Sequence, residues 1–257
     1  MRYAYITGPN PPNVTIKIRE KQAIAGAAIG ILVLDLWYPY LPGNVANAST
    51  YQYPVQFKVL KGSTIPQIMS ADPILLDMIV EGGRELIQQG ARAIIGACGY
   101  FANYQQKASE ILDVPVYLSS VLQVPIIRRG LRGDQKVGII CAVGKSLTLS
   151  LLKQCGVQDA SQVVIVGAIE QDTPEFRNIH DCTGQFNSAK IEKEIVDIAT
   201  NLVKQHPEVG AILLECSDMP PYAWAVQNAV QLPVFDFISL INWVETAVVR
   251  RPFGGYI

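Results

Sequence analysis

Histidine is almost missing from this chain. Only His180 and His206 occur in 257 residues, and the five cysteines include no Cys-x-x-Cys pair. His180-Asp181-Cys182 lacks further ligands at a suitable spacing, and His206 stands just before Pro207 at a helix end, so no metal centre is expected. Charge of one sign is also lacking: 21 Lys+Arg against 22 Asp+Glu give a net charge of -1. Such a chain has no positive field to hold a phosphate backbone, and nucleic acid is not an expected partner. No apolar run is long enough for a bilayer. The most apolar stretch, Ala23 to Leu36, is interrupted by Asp35 and falls short of the ~20 residues a spanning helix needs. The opening MRYAYITGPNPPNV has neither the basic region nor the continuous apolar region of a secretory signal, so no membrane association and a cytoplasmic address are expected. Nucleotide loops are lacking too. There is no GxGxxG, and Gly138 to Gly144 encloses five residues where the phosphate-binding loop requires four.

What is present is apolar mass in a regular order. Hydrophobic residues make up 49% of the chain, enough to bury a substantial core in one large domain or two lobes. Residues 2–7 and 14–19 alternate in the manner of strands around Gly8-Pro9-Asn10-Pro11-Pro12-Asn13, which predicts a β-hairpin extension over residues 1–22. Beyond it, short apolar runs alternate with helical patterns. The runs are Ile29–Leu34, Val55–Leu60, Ala93–Ala97 and Val114–Leu118, then Lys136–Val143, Gln162–Ile169, Ala211–Glu215 and Val234–Ile238. Helices are predicted over Pro73–Gln89, with Asp72 as its cap, near Phe101–Leu112, over Leu147–Gln154, over Ser188–Lys204 and near Pro221–Val230. Strands alternating with helices define an α/β fold with parallel sheets.

The second half repeats the first. An ungapped shift of 118 lays Ala93-Ile94 on Ala211-Ile212, Cys98 on Cys216, Tyr104 on Tyr222 and Pro115-Val116 on Pro233-Val234, six identities in 27 positions. Upstream, a shift of 108 lays Gly30-Ile31 on Gly138-Ile139. A period above 100 residues is the size of a small domain rather than of a solenoid repeat. The expected fold is therefore two pseudo-symmetric Rossmann-like lobes facing each other across a cleft. Lobe A spans residues 23–118 plus 234–257, and lobe B spans 119–233.

Cysteines this sparse, and odd in number, are expected to be free thiols. A lone strand-end cysteine is ordinarily a small buried hydrophobe, and that suffices for Cys141 and Cys155. Packing alone gives no reason for Cys98 and Cys216 to recur at equivalent strand ends. Parallel sheets bind ligands at the carboxyl ends of their strands, so both thiols are expected to line the cleft. Helix N-termini beside them are expected to bring the thiols toward neutrality, where they can serve as acid and base.

The sequences ACGYF around Cys98 and ECSDMPPY around Cys216, the two-lobe repeat and PGNVANASTYQYPV together resemble the aspartate/glutamate/hydantoin racemase superfamily, which works without pyridoxal phosphate. The resemblance implies an enzyme without cofactor, with Cys98 and Cys216 as paired bases. It departs from the glutamate racemases at Gly99-Tyr100 and Ser217-Asp218, where those enzymes carry Asn-Thr and Thr-His. The main expectation is a racemase or epimerase of a small carboxylated substrate, an amino acid or a hydantoin. One alternative keeps the fold for an isomerase or carbon–carbon lyase with one cysteine as nucleophile, and another is a non-catalytic two-lobed sensor. Candidate substrate contacts are Gly99, Tyr100, Ser217 and Asp218 beside the thiols, Ser119 and Ser120 after the fourth strand, Asn47 and Thr50 in the loop after the first, and Lys145 and Ser146. Asp35 is a candidate to polarise Cys98 or to cap its own loop. A homo-oligomer, dimer or higher, is expected from the family.

Overall fold

A computed structural model of the chain describes residues 18–254 and 256–257. The hairpin expected over residues 1–22 lies outside them, apart from 18–22, which carry no strand. The elements run β1 (Ile29–Leu34), β2 (Val55–Leu60), α1 (Ile65–Met69), α2 (Ile74–Gln88), β3 (Ala93–Gly96), α3 (Gln105–Ile111), β4 (Val116–Tyr117), α4 (Val124–Gly130) and β5 (Lys136–Cys141). They continue with α5 (Leu149–Gln154), β6 (Val163–Gly167), α6 (Pro174–His180), α7 (Ser188–Gln205), β7 (Val209–Leu214), α8 (Ala223–Val230), β8 (Val234–Phe235) and α9 (Phe237–Val248). Asp72 accepts the Ile74 N–H at the start of α2, as a cap at that position should.

Two four-stranded parallel sheets result, ordered β2-β1-β3-β4 and β6-β5-β7-β8. This is the two-lobed α/β fold with parallel sheets that the alternation implied. The internal repeat is exact in register: Ile94 pairs with Val116 in one sheet and Ile212 with Val234 in the other, each residue displaced by 118. Strands β1, β3 and β7 are buried along their whole length. That explains their unbroken apolar runs, since a parallel strand covered on both faces has no wet side to alternate toward.

The recurrent glycines have a packing cause. A Cβ on Gly30 would stand 3.0 Å from the Leu86 Cβ of α2, and one on Gly138 would stand 2.7 Å from Leu202 of α7. Each lobe therefore lays its long helix directly on the central strand, and any larger side chain would hold the two apart.

Helix α9 was not expected. The apolar residues after Val234 read as a strand running to Ile238, but Asp236 accepts the Ser239 N–H while Ser239 Oγ accepts the Asp236 N–H. That reciprocal cap turns the chain into a helix after a two-residue strand. Phe237, Leu240, Ile241 and Val244 then pack with Ile29, Ile31, Ala93 and Ile95 of the first sheet. Among the described residues no helix is long and apolar enough to cross a membrane.

Candidate active site

The carboxyl ends of the central strands of both sheets open on one cleft of about 700 Å³, counting the part continuous with solvent. Val33 and Leu34 of β1, Ala97 and Cys98 after β3, Ala142 after β5, and Glu215 and Cys216 after β7 line it. Gly99, Tyr100, Ser217 and Asp218 join them from the turns that follow, as do Tyr38, Tyr40 and Asn44 from the loop after β1. Phe176, Ile179 and His180 of α6 close another side. Both lobes thus contribute a thiol, and both thiols stay partly accessible.

Charge in this cleft is one-sided. Among the described residues its lining holds two carboxyl groups, Glu215 and Asp218, and neither lysine nor arginine; His180 is the sole basic side chain among them. Asp218 is organised by donors: Asn44 Nδ2 reaches its Oδ1 at 2.6 Å and the Cys216 thiol reaches its Oδ2 at 3.4 Å. Burial raises Asp218, while bonds from Tyr38, Cys216 and Asn44 oppose the shift. Tyr38 and Tyr40 stand beside it with ring centroids 4.5 Å apart.

The thiols are not brought toward neutrality. Burial pushes Cys98 well above an ordinary thiol, Glu215 adds to this, and the Tyr100 and Phe101 amides offset it only in part. Cys216 is raised as well, by burial and then by Asp218 and Glu215. Each turn that follows a thiol is a short 3-10 segment, 99–104 or 220–222. Its few amides cannot outweigh desolvation of an anion.

The structure separates the remaining candidates into two groups. Gly99, Tyr100, Ser217 and Asp218 meet at the thiols. Asn47, Thr50, Ser119, Ser120, Lys145 and Ser146 do not line this cleft, and most of their polar groups are spent within the chain. Asn47 caps its own turn and bonds the Tyr40 carbonyl. Thr50 accepts from the Gly43 amide and donates to the Asn44 carbonyl, fixing the loop that delivers Asn44. Ser119 caps the turn over 120–123, and Ser120 donates to the Glu215 carbonyl. At the candidate Lys145, the amides of Gly144 and Lys145 hold both oxygens of Glu170, at 2.7 and 3.1 Å. Asp35 turns to the Gly62 amide and Lys61, so it caps the turn after β2 rather than its own loop or Cys98.

Asn44 and Glu215 escaped the sequence reading. Asn44 sits among several polar residues of one loop, where nothing in the order of letters tells which turns inward. Glu215 left a trace: under the 118-residue shift it falls opposite Ala97, an acid ending an otherwise apolar strand.

The fold is that of solved racemases and of a decarboxylase. Allantoin racemase from Klebsiella pneumoniae superposes with a TM-score of 0.59 at 19% identity, covering 86% of this chain and 87% of that one. Arylmalonate decarboxylase and aspartate and glutamate racemases share the fold. No family model matches the chain. A dimethylsulfoniopropionate lyase from Durusdinium sp. clade D is 30% identical over 242 residues, 90% of this chain and 78% of that protein. Dimethylsulfoniopropionate lyase 5 of Emiliania huxleyi is 30% identical over 242 residues, of which the chain spans only 47% of the relative's length. The chain belongs to the dimethylsulfoniopropionate lyase family. Its relatives are therefore enzymes of a lyase class, and the expected amino-acid racemase is not supported. The alternative of a lyase in the same cleft is the better supported reading.

Proposed function

We propose that the protein eliminates dimethyl sulfide from dimethylsulfoniopropionate, leaving acrylate, with Cys98 as the base. The observation that carries this reading is the lining of the cleft: among the described residues it holds the Asp218 carboxyl, fixed by Asn44 and Cys216, a pair of tyrosine rings and no lysine or arginine. Aspartate and glutamate, each with an extra carboxylate, meet repulsion there. A zwitterion with a sulfonium at one end meets attraction, from Asp218 by charge and from the Tyr38 and Tyr40 rings by cation–π contact. The carboxylate end then lies toward the Gly99-Tyr100 turn.

The same cation answers the problem of the raised thiols. A positive charge entering the cleft favours the thiolate that burial disfavours, so substrate binding and ionisation of the base are coupled. Cys98 is assigned as the base because the Tyr100 and Phe101 amides face its sulfur, while Cys216 donates a hydrogen bond to Asp218 and helps to hold that carboxyl in place. The thiolate takes the proton from the carbon next to the carboxylate. The C–H electron pair forms the C=C bond, the carbon–sulfur bond breaks, and its pair leaves on neutral dimethyl sulfide. Cys98 then returns its proton to solvent, one per turnover. The bond cleaved is carbon–sulfur rather than carbon–carbon, and no covalent adduct is required.

Incubation with dimethylsulfoniopropionate, with dimethyl sulfide read by gas chromatography and vinyl protons by NMR, tests the proposal. Release of both products is expected, with a loss of about 10²–10⁴-fold in Cys98→Ser, the usual size of a general-base contribution. Undiminished release from a folded Cys98→Ser protein overturns the assignment of the base, and absence of both products overturns the substrate.

A further inference from the structure

The elimination leaves one buried acid unused. Glu215 follows β7 with 0% of its surface exposed, and neither carboxyl oxygen has a hydrogen-bond partner. Its main chain is fixed: the N–H donates to the Ile140 carbonyl at 2.8 Å, and Ser120 Oγ donates to its carbonyl at 3.2 Å. Its carboxyl lies against Gly99, where a Cβ would come 1.8 Å from Oε1. Cys98 immediately precedes that glycine, and Cys216 immediately follows Glu215. The side chain is thus packed between the attachment points of the two thiols, one from each lobe.

Among the described residues no cation acts on it. The ionisable groups it acts on are Cys98 and Tyr100 after β3, Cys141 at the end of β5, Cys155 at the end of α5, and Cys216 beside it. A negative charge on Glu215 raises each of them. Asp218 adds negative charge near both cleft thiols. A carboxyl so placed is held protonated at neutral pH, and burial pushes Glu215 up to about 8.

We propose that Cys98, Glu215 and Cys216 titrate as one unit sharing a single negative charge, in which ionisation of the Glu215 carboxyl caps formation of the thiolate. The inference rests on the thiol site of the preceding reading but not on its substrate. Below the titration of the carboxyl, the thiolate fraction rises about tenfold per pH unit. Once the proton leaves Glu215, the single charge already resides there and the thiolate fraction levels off. Glu215 is thus a positioning residue for charge: neutral, it leaves the thiol as the place where a negative charge can form.

Alkylation with iodoacetamide across about pH 6 to 10, followed by mass spectrometry of the peptides carrying Cys98 and Cys216, reads this directly on the full chain. The wild-type rate is expected to climb and then bend near pH 8. In Glu215→Gln it continues upward, about tenfold above wild type one pH unit past the bend. Superimposed profiles from two folded proteins overturn the proposal. If Glu215→Gln does not fold, infrared titration of the wild type decides. A protonated-carboxyl band that fades over the pH range of the bend supports the inference, and the lack of such a band overturns it. Alkylation needs no substrate: a bend without dimethyl sulfide release refutes the elimination alone, and release without a bend refutes the shared charge alone.

Discussion

The hydroxyl of Tyr100 ties the two lobes together at the cleft: it accepts the Val143 N–H at 2.6 Å and donates to the Val143 carbonyl oxygen at 3.0 Å. Tyr100 stands two residues past Cys98 in the first lobe, and Val143 lies just past β5 in the second. The pair therefore sets the spacing across which Cys98 and Cys216 act. Tyr100→Phe keeps the buried ring and leaves the Val143 amide without its partner, at an expected cost of about 1–3 kcal/mol. Urea denaturation should show that loss, and turnover should fall further than stability alone explains, because the lobes lose their register at the thiols. Unchanged stability in Tyr100→Phe refutes the role of this contact.

How far the letters reach can be seen at particular residues. Alternating apolar runs specify β1 to β8 because a parallel sheet covered on both faces admits little else, and the 118-residue shift finds Cys98 and Cys216 because the repeat is kept in strand register. Helix α9 was missed where five apolar or cap residues in a row fit strand and helix equally, and the Asp236–Ser239 cap decides between them. Inward direction is harder still. Asn44 and Asn47 lie three residues apart in one loop, yet Asn44 reaches Asp218 while Asn47 bonds its own turn. The amides of Gly144 and Lys145 can hold an anion, but the chain supplies its own in Glu170. Only three-dimensional proximity reveals that competitor, 25 residues and more downstream.

Gly99 is required by the carboxyl behind it. Gly99→Ala places a methyl carbon 1.8 Å from Glu215 Oε1, so either the acid or the Cys98 backbone must shift, with an expected loss of about 1–3 kcal/mol. Shortening the acid removes the clash. The double variant Gly99→Ala/Glu215→Ala should therefore be more stable than additivity of the single variants requires. Strict additivity in thermal denaturation shows that the two side chains do not compete for this space.

Asp218 should discriminate charge rather than shape. Dimethylsulfoniopropionate and 4-methylpentanoate have nearly the same outline, and only the first carries a cation. Asp218→Asn keeps the volume and removes a carboxylate that Asn44 and Cys216 hold in place. Binding of the sulfonium is expected to weaken about tenfold or more, equivalent to about 1.4 kcal/mol, while inhibition by 4-methylpentanoate stays the same or tightens. Equal weakening of both ligands refutes a cation subsite at Asp218.

The raised Glu215 carboxyl also bears on folding. In the unfolded chain the group titrates near its ordinary value of 4.5, and in the folded chain at about 8. Between those values the folded state holds the extra proton, so stability falls as pH rises, by up to about 1.4 kcal/mol per pH unit. The stability present below about 4.5 is lost progressively up to about 8, and no further loss from this group follows above it. Glu215→Gln removes the titration while conserving shape. Its stability relative to wild type should therefore grow by a few kcal/mol from pH 5 to pH 9. Cys98, Cys141 and Cys216, all pushed up by burial and by Glu215, also lower stability at alkaline pH, and they do so less in Glu215→Gln, so the difference between the two urea curves reports the carboxyl together with the thiols coupled to it. A difference that stays constant from pH 5 to pH 9 means the carboxyl is ionised in the folded protein throughout, and the buried acid of this cleft is then stabilised by something other than its proton.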